Sequence, residues 1–286
     1  MYRRLKQGFS NISGVASPSR GACSGTEHVP DFEPRHHIRL LTFNIQVGIN
    51  TASYHHYVTR SWQHVLPHRG RIENLDRIAT LIRNYDVVAL QECDGGSLRS
   101  GYINQVQYLA EASGIPYWRQ QLNRNLGPLA QHSNGLLSRF RPLDVTEHRL
   151  PGILPGRGAI IARFGDIEDP LVLVIMHLSL SKAGQIRQLA YIHELIAGYQ
   201  HVVLMGDLNN HAEELLTNTP LKHANLIPLP ETAHSFPSWR PERALDHILV
   251  SPSLEIRNSE VVSYPLSDHL PIAMDIALPK GYLETF

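Results

Sequence analysis

The sequence of 286 residues is poor in cysteine, balanced in charge and without a long apolar run. Each shortage excludes something. Two cysteines, Cys23 and Cys93, cannot build a disulfide framework, and no CxxC pair is present to hold a structural zinc. A reducing, cytoplasmic setting is expected. Lys and Arg number 26 and Asp and Glu number 26, which removes the global positive field of a sequence-independent nucleic-acid binder. Contacts with nucleic acid would have to come from a local patch. No stretch approaches the roughly 18 apolar residues of a membrane span, and the first residues lack the apolar core of a secretory signal. What remains is a chain with 42% hydrophobic residues, long enough to bury a sizeable core. No obligate protein partner is implied.

Two regions stand out along the chain. Residues 1–36 hold Ser, Gly, Pro and Arg with few large apolar side chains and no acid before Glu27. They read as a disordered basic extension, although Tyr2, Leu5, Phe9 and Ile12 fall on helical spacing, the pattern of a membrane-surface or targeting helix. Residues 37–286 read as one catalytic domain. Within it, short apolar runs predict strands over residues 38–45, 86–90, 135–138, 159–164, 171–177, 201–205, 245–250 and 271–277. Several are apolar on both faces, as central strands of a covered sheet must be. Ile72, Leu75, Ala79 and Ile82 mark one amphipathic helix, and Ile186, Leu189, Ala190, His193 and Ile196 mark another. The class is α/β or α+β. The longest connection, residues 47–70, carries Tyr54, His55, His56, Tyr57, Trp62, His64 and His68 and is a candidate substrate lid.

Polar residues recur at the carboxyl ends of the apolar runs, where buried strands emerge and side chains can converge on one crevice. Asn44 ends the first run, Glu92 follows the second, His177 ends the fifth and Asp207 follows the sixth. Asp246 lies in the seventh, and Asp268-His269 precede the last. A lone Asp in such a place is ordinarily a turn or helix cap. Four carboxylates brought together repel one another, and their burial costs several kcal/mol each, so the cluster calls for a cation or shared protons. Hard oxygen donors with no thiolate suit Mg²⁺, with Mn²⁺ a possible substitute. A Mg²⁺ site with histidines nearby fits hydrolysis of a phosphoryl group.

The motifs Phe43-Asn44-Ile45, Leu90-Gln91-Glu92, His177-Leu178, Gly206-Asp207-Leu208-Asn209, Leu245-Asp246-His247 and Ser267-Asp268-His269-Leu270-Pro271 occur in this order. Order and spacing resemble the endonuclease/exonuclease/phosphatase superfamily over residues 38–279. That resemblance implies a four-layer α/β sandwich, with two mainly antiparallel sheets packed face to face and helices outside. It implies roles as well. Glu92 is the acidic Mg²⁺ ligand, with Asn44 beside it and Asp268 contributing. Asp207 orients and deprotonates the attacking water, and Asn209 bonds a phosphoryl oxygen. Asp246 fixes the ring of His269, which stabilises charge at phosphorus or takes the water's proton. His177 protonates the leaving oxygen or binds phosphate.

Three further positions are expected at the substrate. Asn134 precedes a strand where many such proteins carry Asn or Gly, and the alternative is a turn residue. Arg157 precedes an apolar run and is set either to hold a phosphate or to form a surface salt bridge. Trp239, in Ser235-Phe236-Pro237-Ser238-Trp239, is set to stack on a base or an apolar group, or to pack. Arg187 reads as structural. The expected activity is metal-assisted phosphodiester hydrolysis of a nucleic acid or a phospholipid head group. The alternative is a non-catalytic binding module on the same fold.

Overall fold

The computed structural model describes residues 37–49, 70–152, 156–229 and 233–278. The basic extension, most of the 47–70 connection and Cys23 lie outside the described residues. Cys93 is buried and unpaired, and burial pushes its thiol pKa up.

Two sheets carry the fold. The first comprises β1 (His37–Asn44), β2 (Val87–Asp94), β3 (Tyr117–Asn125), β4 (Gln131–Ser138), β10 (Ile256–Val261) and β11 (Ile272–Ala277), in the order β10-β11-β1-β2-β4-β3. The second comprises β5 (Asp144–Arg149), β6 (Gly158–Gly165), β7 (Pro170–His177), β8 (His201–Asp207) and β9 (Asp246–Val250), ordered as numbered. Each sheet contains one parallel pair, β1 with β2 and β7 with β8, and every other pairing is antiparallel. Parallel neighbours need a crossover. The first connection includes α1 (Gly70–Ile82) and the second is α3 (Lys182–Ile196), whereas α2 (Gln105–Ser113) follows β2 and α4 (Ala212–Asn218) follows β8.

The period of two along the strands separates the layers. Leu40 faces the second sheet with Ile38, while Leu41 and Phe43 face Leu75, Ile78 and Ile82 of α1 and Leu109 of α2. In the second sheet Leu173 and Ile175 face inward, while Val172 and Val174 face Leu189, Ile192 and Ile196 of α3. The four-layer sandwich is therefore what the chain forms. All eight positions of β7 are buried, and each large aliphatic there contributes roughly 1.5–3 kcal/mol. Gly206 in β8 has φ +148°, and a Cβ there would overlap the carbonyl oxygen of Met176 on β7. Only glycine lets the two strands run this close immediately before Asp207.

The topology also places the polar residues. Parallel strands β1 and β2 emerge at one edge, as do β7 and β8, and the antiparallel neighbours β11 and β9 begin at that same edge. His177, Asp207 and Asp246 are consecutive register partners across three strands, and Asn44 is paired with Gln91.

Candidate active site

Asp207 sits at the centre of the polar edge, 2% exposed. Its Oδ2 accepts a 3.0 Å bond from Asn44 Nδ2 of the opposite sheet, and its Oδ1 accepts a 3.0 Å bond from the backbone N–H of Asn209. Two imidazoles flank it, His177 Nε2 at 3.4 Å and His269 Nε2 at 3.9 Å from Oδ2. The far nitrogen of His269, Nδ1, lies 2.7 Å from Asp246 Oδ2. That Oδ2 also accepts from Ser235 Oγ at 2.6 Å.

The two histidines are driven in opposite directions. Burial alone would lower both. For His177 burial dominates, with Arg157 and His269 adding to it against Asp207, and the pKa falls to about 3. The ring is neutral, so its approach to Asp207 is a neutral contact and no ion pair. For His269 burial is outweighed by the charges of Asp246 and Asp207 and the bond to Asp246, and the pKa rises to about 10. One carboxylate thus stands between an imidazole and an imidazolium, the separation of states that acid–base chemistry at neutral pH requires.

Glu92 reaches the same edge by a different device. The β2–β4 register slips between Leu90 and Cys93, and Glu92 occupies the bulge at φ +54°. A bulge re-aims a side chain out of the sheet, and the Glu92 carboxylate accepts no hydrogen bond from the described residues. Asp268 is nine-tenths buried beside Ser267, whose hydroxyl donates to its Oδ1 at 3.1 Å. Burial, with Glu92 and Asp207 behind it, raises its pKa to about 6 despite the imidazolium of His269.

These facts bear on a cation. Asp207, Asp246 and His269 each offer a ligand atom, all within 4.8 Å of one another. The bond between Asp246 and His269 already occupies Asp246 Oδ2 and the ring Nδ1. The other oxygen, Asp246 Oδ1, is buried without a hydrogen-bond partner. Glu92, open in its bulge, and Asp268, raised by burial and then by its acidic neighbours, are the less encumbered oxygen donors. An orphaned carboxylate oxygen and mutually repelling acids are what a divalent ion would relieve. The donor set fits a hard cation.

Beside these groups opens a cleft of about 650 Å³ lined by Glu92, Asn134, Arg157 and His177 among others. Asn134 lies within β4, 1% exposed, and its Nδ2 donates to Gly158 O at 3.0 Å. It is a strand residue rather than a turn. Arg157 faces the cleft and pairs with no carboxylate among the described residues, so the surface salt bridge is not formed. Its pKa is lowered by burial against the attraction of Glu92 and Asp207. Asn209 is held by its backbone bond to Asp207 and by Nδ2 donating to Leu178 O at 3.0 Å, leaving its second amide hydrogen.

Trp239 is half-buried and does not line this cleft. Its loop instead braces the acid–imidazole pair: Ser235 bonds Asp246, the Phe236 ring lies 4.8 Å from that of His269, and Ser238 Oγ donates to Ser267 O at 2.6 Å. His247 points away, 2.8 Å from Asn210 O, because strand alternation turns it opposite to Asp246. The cleft also gathers Asn123, Arg124 and His132 from the β3–β4 hairpin, and Ser179, Ser181 and Arg187 around the start of α3. Nothing in the sequence pattern marks the hairpin residues.

The model of the Endonuclease/Exonuclease/phosphatase family matches residues 41–269. No curated protein matches the chain. Among solved structures, an endonuclease/exonuclease/phosphatase from Beutenbergia cavernae is 21% identical, with TM-score 0.65, over 86% of this chain and 73% of that one. A mannosyl-6-phosphatase from Bacteroides thetaiotaomicron is 15% identical, with TM-score 0.61, over 84% and 100%. D. rerio TDP2 complexed with single strand DNA product is also 15% identical, with TM-score 0.60, over 85% and 99%. Such distant likenesses establish the fold. The family match spans every strand-end motif from Asn44 to His269, and the chain therefore belongs to the endonuclease/exonuclease/phosphatase family of phosphoester hydrolases.

Proposed function

We propose that the cleft hydrolyses a phosphodiester with Mg²⁺, the scissile phosphate lying between Asp207 and Arg157. The supporting observation is a single one: Asp207 Oδ2 lies 3.4 Å from His177 Nε2 and 3.9 Å from His269 Nε2, beside a cleft whose Arg157 pairs with no carboxylate among the described residues. Glu92 and Asp268, with Asn44 beside them, would hold the ion. Bound there, the ion supplies Lewis-acid polarisation of the phosphoryl oxygen and neutralises developing charge.

The remaining steps belong to the side chains. Asp207, oriented by Asn44 and the Asn209 amide, takes the proton of the attacking water. His269, kept as imidazolium by Asp246, neutralises charge on the pentavalent state through Nε2. His177 is neutral and serves as a hydrogen-bond donor to phosphate rather than as the acid, and the leaving oxygen takes its proton from solvent water. Arg157 presents the planar fork that suits phosphate oxygens, and Asn209 offers its remaining amide hydrogen.

The test is hydrolysis of bis-p-nitrophenyl phosphate, single- and double-stranded DNA, RNA, sphingomyelin and phosphoinositides with Mg²⁺, with EDTA, and by Asp207→Asn. Activity lost with both EDTA and the substitution is expected, and the preferred substrate decides between nucleic acid and phospholipid. No turnover of any of these, with a melting temperature unmoved by millimolar Mg²⁺, would instead indicate a binding module.

A further inference from the structure

Beyond the scissile-phosphate position the cleft carries more positive charge than one phosphate needs. Arg124 comes from the end of β3, Arg157 from the turn before β6 and Arg187 from the second turn of α3, and all three line the same cleft. Glu92 is the one acid among the described residues that line it. None of the three arginines pairs with a carboxylate among the described residues. Several cations elsewhere do have an acid beside them: Arg39 with Asp275, Arg119 with Glu147, Arg163 with Asp144, and Lys182, at the start of α3, with Glu214. In a chain with equal numbers of acids and bases, three unpaired guanidiniums on one cavity are a local excess.

The backbone is shaped to keep two of them together. Gly156 has φ +120°, and a Cβ there would stand 3.1 Å from Arg124 Cβ and 3.3 Å from its Cδ. The stem of Arg124 therefore lies on Gly156, one residue from Arg157. A Cβ at Gly158 would overlap Asn123 Oδ1 and Gln121 Oε1. Glycine on both sides of Arg157 thus admits the polar side chains of β3 and lets Arg124 lie beside Arg157 in the cleft. Among the described residues the cleft is also lined by Asn and Ser, groups that hydrogen-bond phosphates and hydroxyls.

We infer that Arg124 and Arg187 form a second phosphate subsite, so that the substrate carries a further phosphate besides the one attacked. This rests on the phosphoesterase function proposed above. Planar guanidinium forks bind phosphate bidentately and from more than one side, and about 650 Å³ accommodates a second phosphate-bearing group. The phosphate could belong to a neighbouring nucleotide or to a phosphorylated glycerophosphodiester, and the two sources are separable.

The experiment measures kcat/KM in two pairs that differ by one phosphate: TpT against pTpT, and glycerophosphoglycerol against glycerophosphoglycerol phosphate. Wild type and the Arg124→Gln/Arg187→Gln double variant are compared by the ratio within each pair, which cancels any general loss of activity. In wild type the extra phosphate is expected to raise kcat/KM about tenfold in one pair, and in the double variant that advantage should fall to within about twofold of unity. The pair that responds identifies the source. A ratio near one in both pairs for wild type overturns the subsite, as does a ratio that survives in the double variant. If nothing is turned over, including bis-p-nitrophenyl phosphate, the hydrolase function has failed. The subsite is then read from thermal stabilisation by pTpT over TpT and by glycerophosphoglycerol phosphate over glycerophosphoglycerol. Greater stabilisation by the compound with the extra phosphate in either pair in wild type, lost in the double variant, supports it, and equal stabilisation in both pairs overturns it.

Discussion

The two parallel strand pairs at the heart of the sheets do the same thing in different ways. β1 and β2 deliver Asn44 and Glu92, and β7 and β8 deliver His177 and Asp207, each pair at its carboxyl edge. On the second sheet the polar groups are clamped. Asp207 is 2% exposed and held by bonds from Asn44 and Asn209 between two rings, and Gly206 lets its strand press against β7. On the first sheet Glu92 leaves the ladder through a bulge and stays half-exposed and unbonded among the described residues. Rigid placement suits a group that must meet a water in one geometry. A carboxylate that exchanges an ion with solvent is better served by access.

If that division holds, the largest loss comes from the clamped side. Asp207→Asn keeps the shape and removes the base, so turnover should fall by at least about a hundredfold, within the range general-base catalysis contributes. It also removes a charge from a crowded acidic cluster, so the melting temperature without Mg²⁺ should hold or rise. A variant with near-normal kcat would take Asp207 out of the mechanism. Next is Asp246→Asn, which leaves His269 without the charge that keeps it protonated. A fall in kcat of tens to a hundredfold with little change in KM is expected from steady-state kinetics.

The open side should respond in metal dependence instead. Glu92→Gln is expected to raise the Mg²⁺ concentration for half-maximal rate about tenfold, while the rate at saturating Mg²⁺ recovers substantially. A Mg²⁺ titration of activity reads this directly. If half-saturation does not move, Glu92 is not a ligand and the two halves do not divide the work as described.

How much of this was visible beforehand follows the same contrast between buried and open structure. The eight predicted strands correspond to β1, β2, β4, β6, β7, β8, β9 and β11, whose apolar runs are dictated by burial. β3, β5 and β10 went unread because they lie at sheet edges with mostly half-buried or exposed positions. Such strands need few apolar side chains. The short helices α2 and α4, of 9 and 7 residues, give too few turns for a period to show. In the site, residues fixed to strand ends, from Asn44 to His269, were legible. Arg124 and His132 sit on a polar hairpin, and Arg187 on an exposed helix face was read as structural although it borders the cleft. Ser235 and Phe236 support the acid–imidazole pair across long sequence separations that no local pattern records.

The smallest effect concerns the bond that joins the two halves. Asn44 Nδ2 reaches from β1 to Asp207 Oδ2 across the sandwich, a buried 3.0 Å contact between residues 163 apart in sequence. Asn44 is itself fixed, since its Oδ1 accepts from the Gln46 backbone N–H at 3.1 Å. A hydrogen bond to a charged group contributes about 1.5–3 kcal/mol, but Asp207 keeps the Asn209 amide when Asn44 is removed. Asn44→Ala should therefore lower kcat by about tenfold or less and shift the Mg²⁺ requirement only slightly. A loss as deep as that of Asp207→Asn would mean that Asn44 touches the reacting phosphate itself. An unchanged kcat would mean that the second sheet orients its base alone, and that the first contributes only the ion-holding carboxylate.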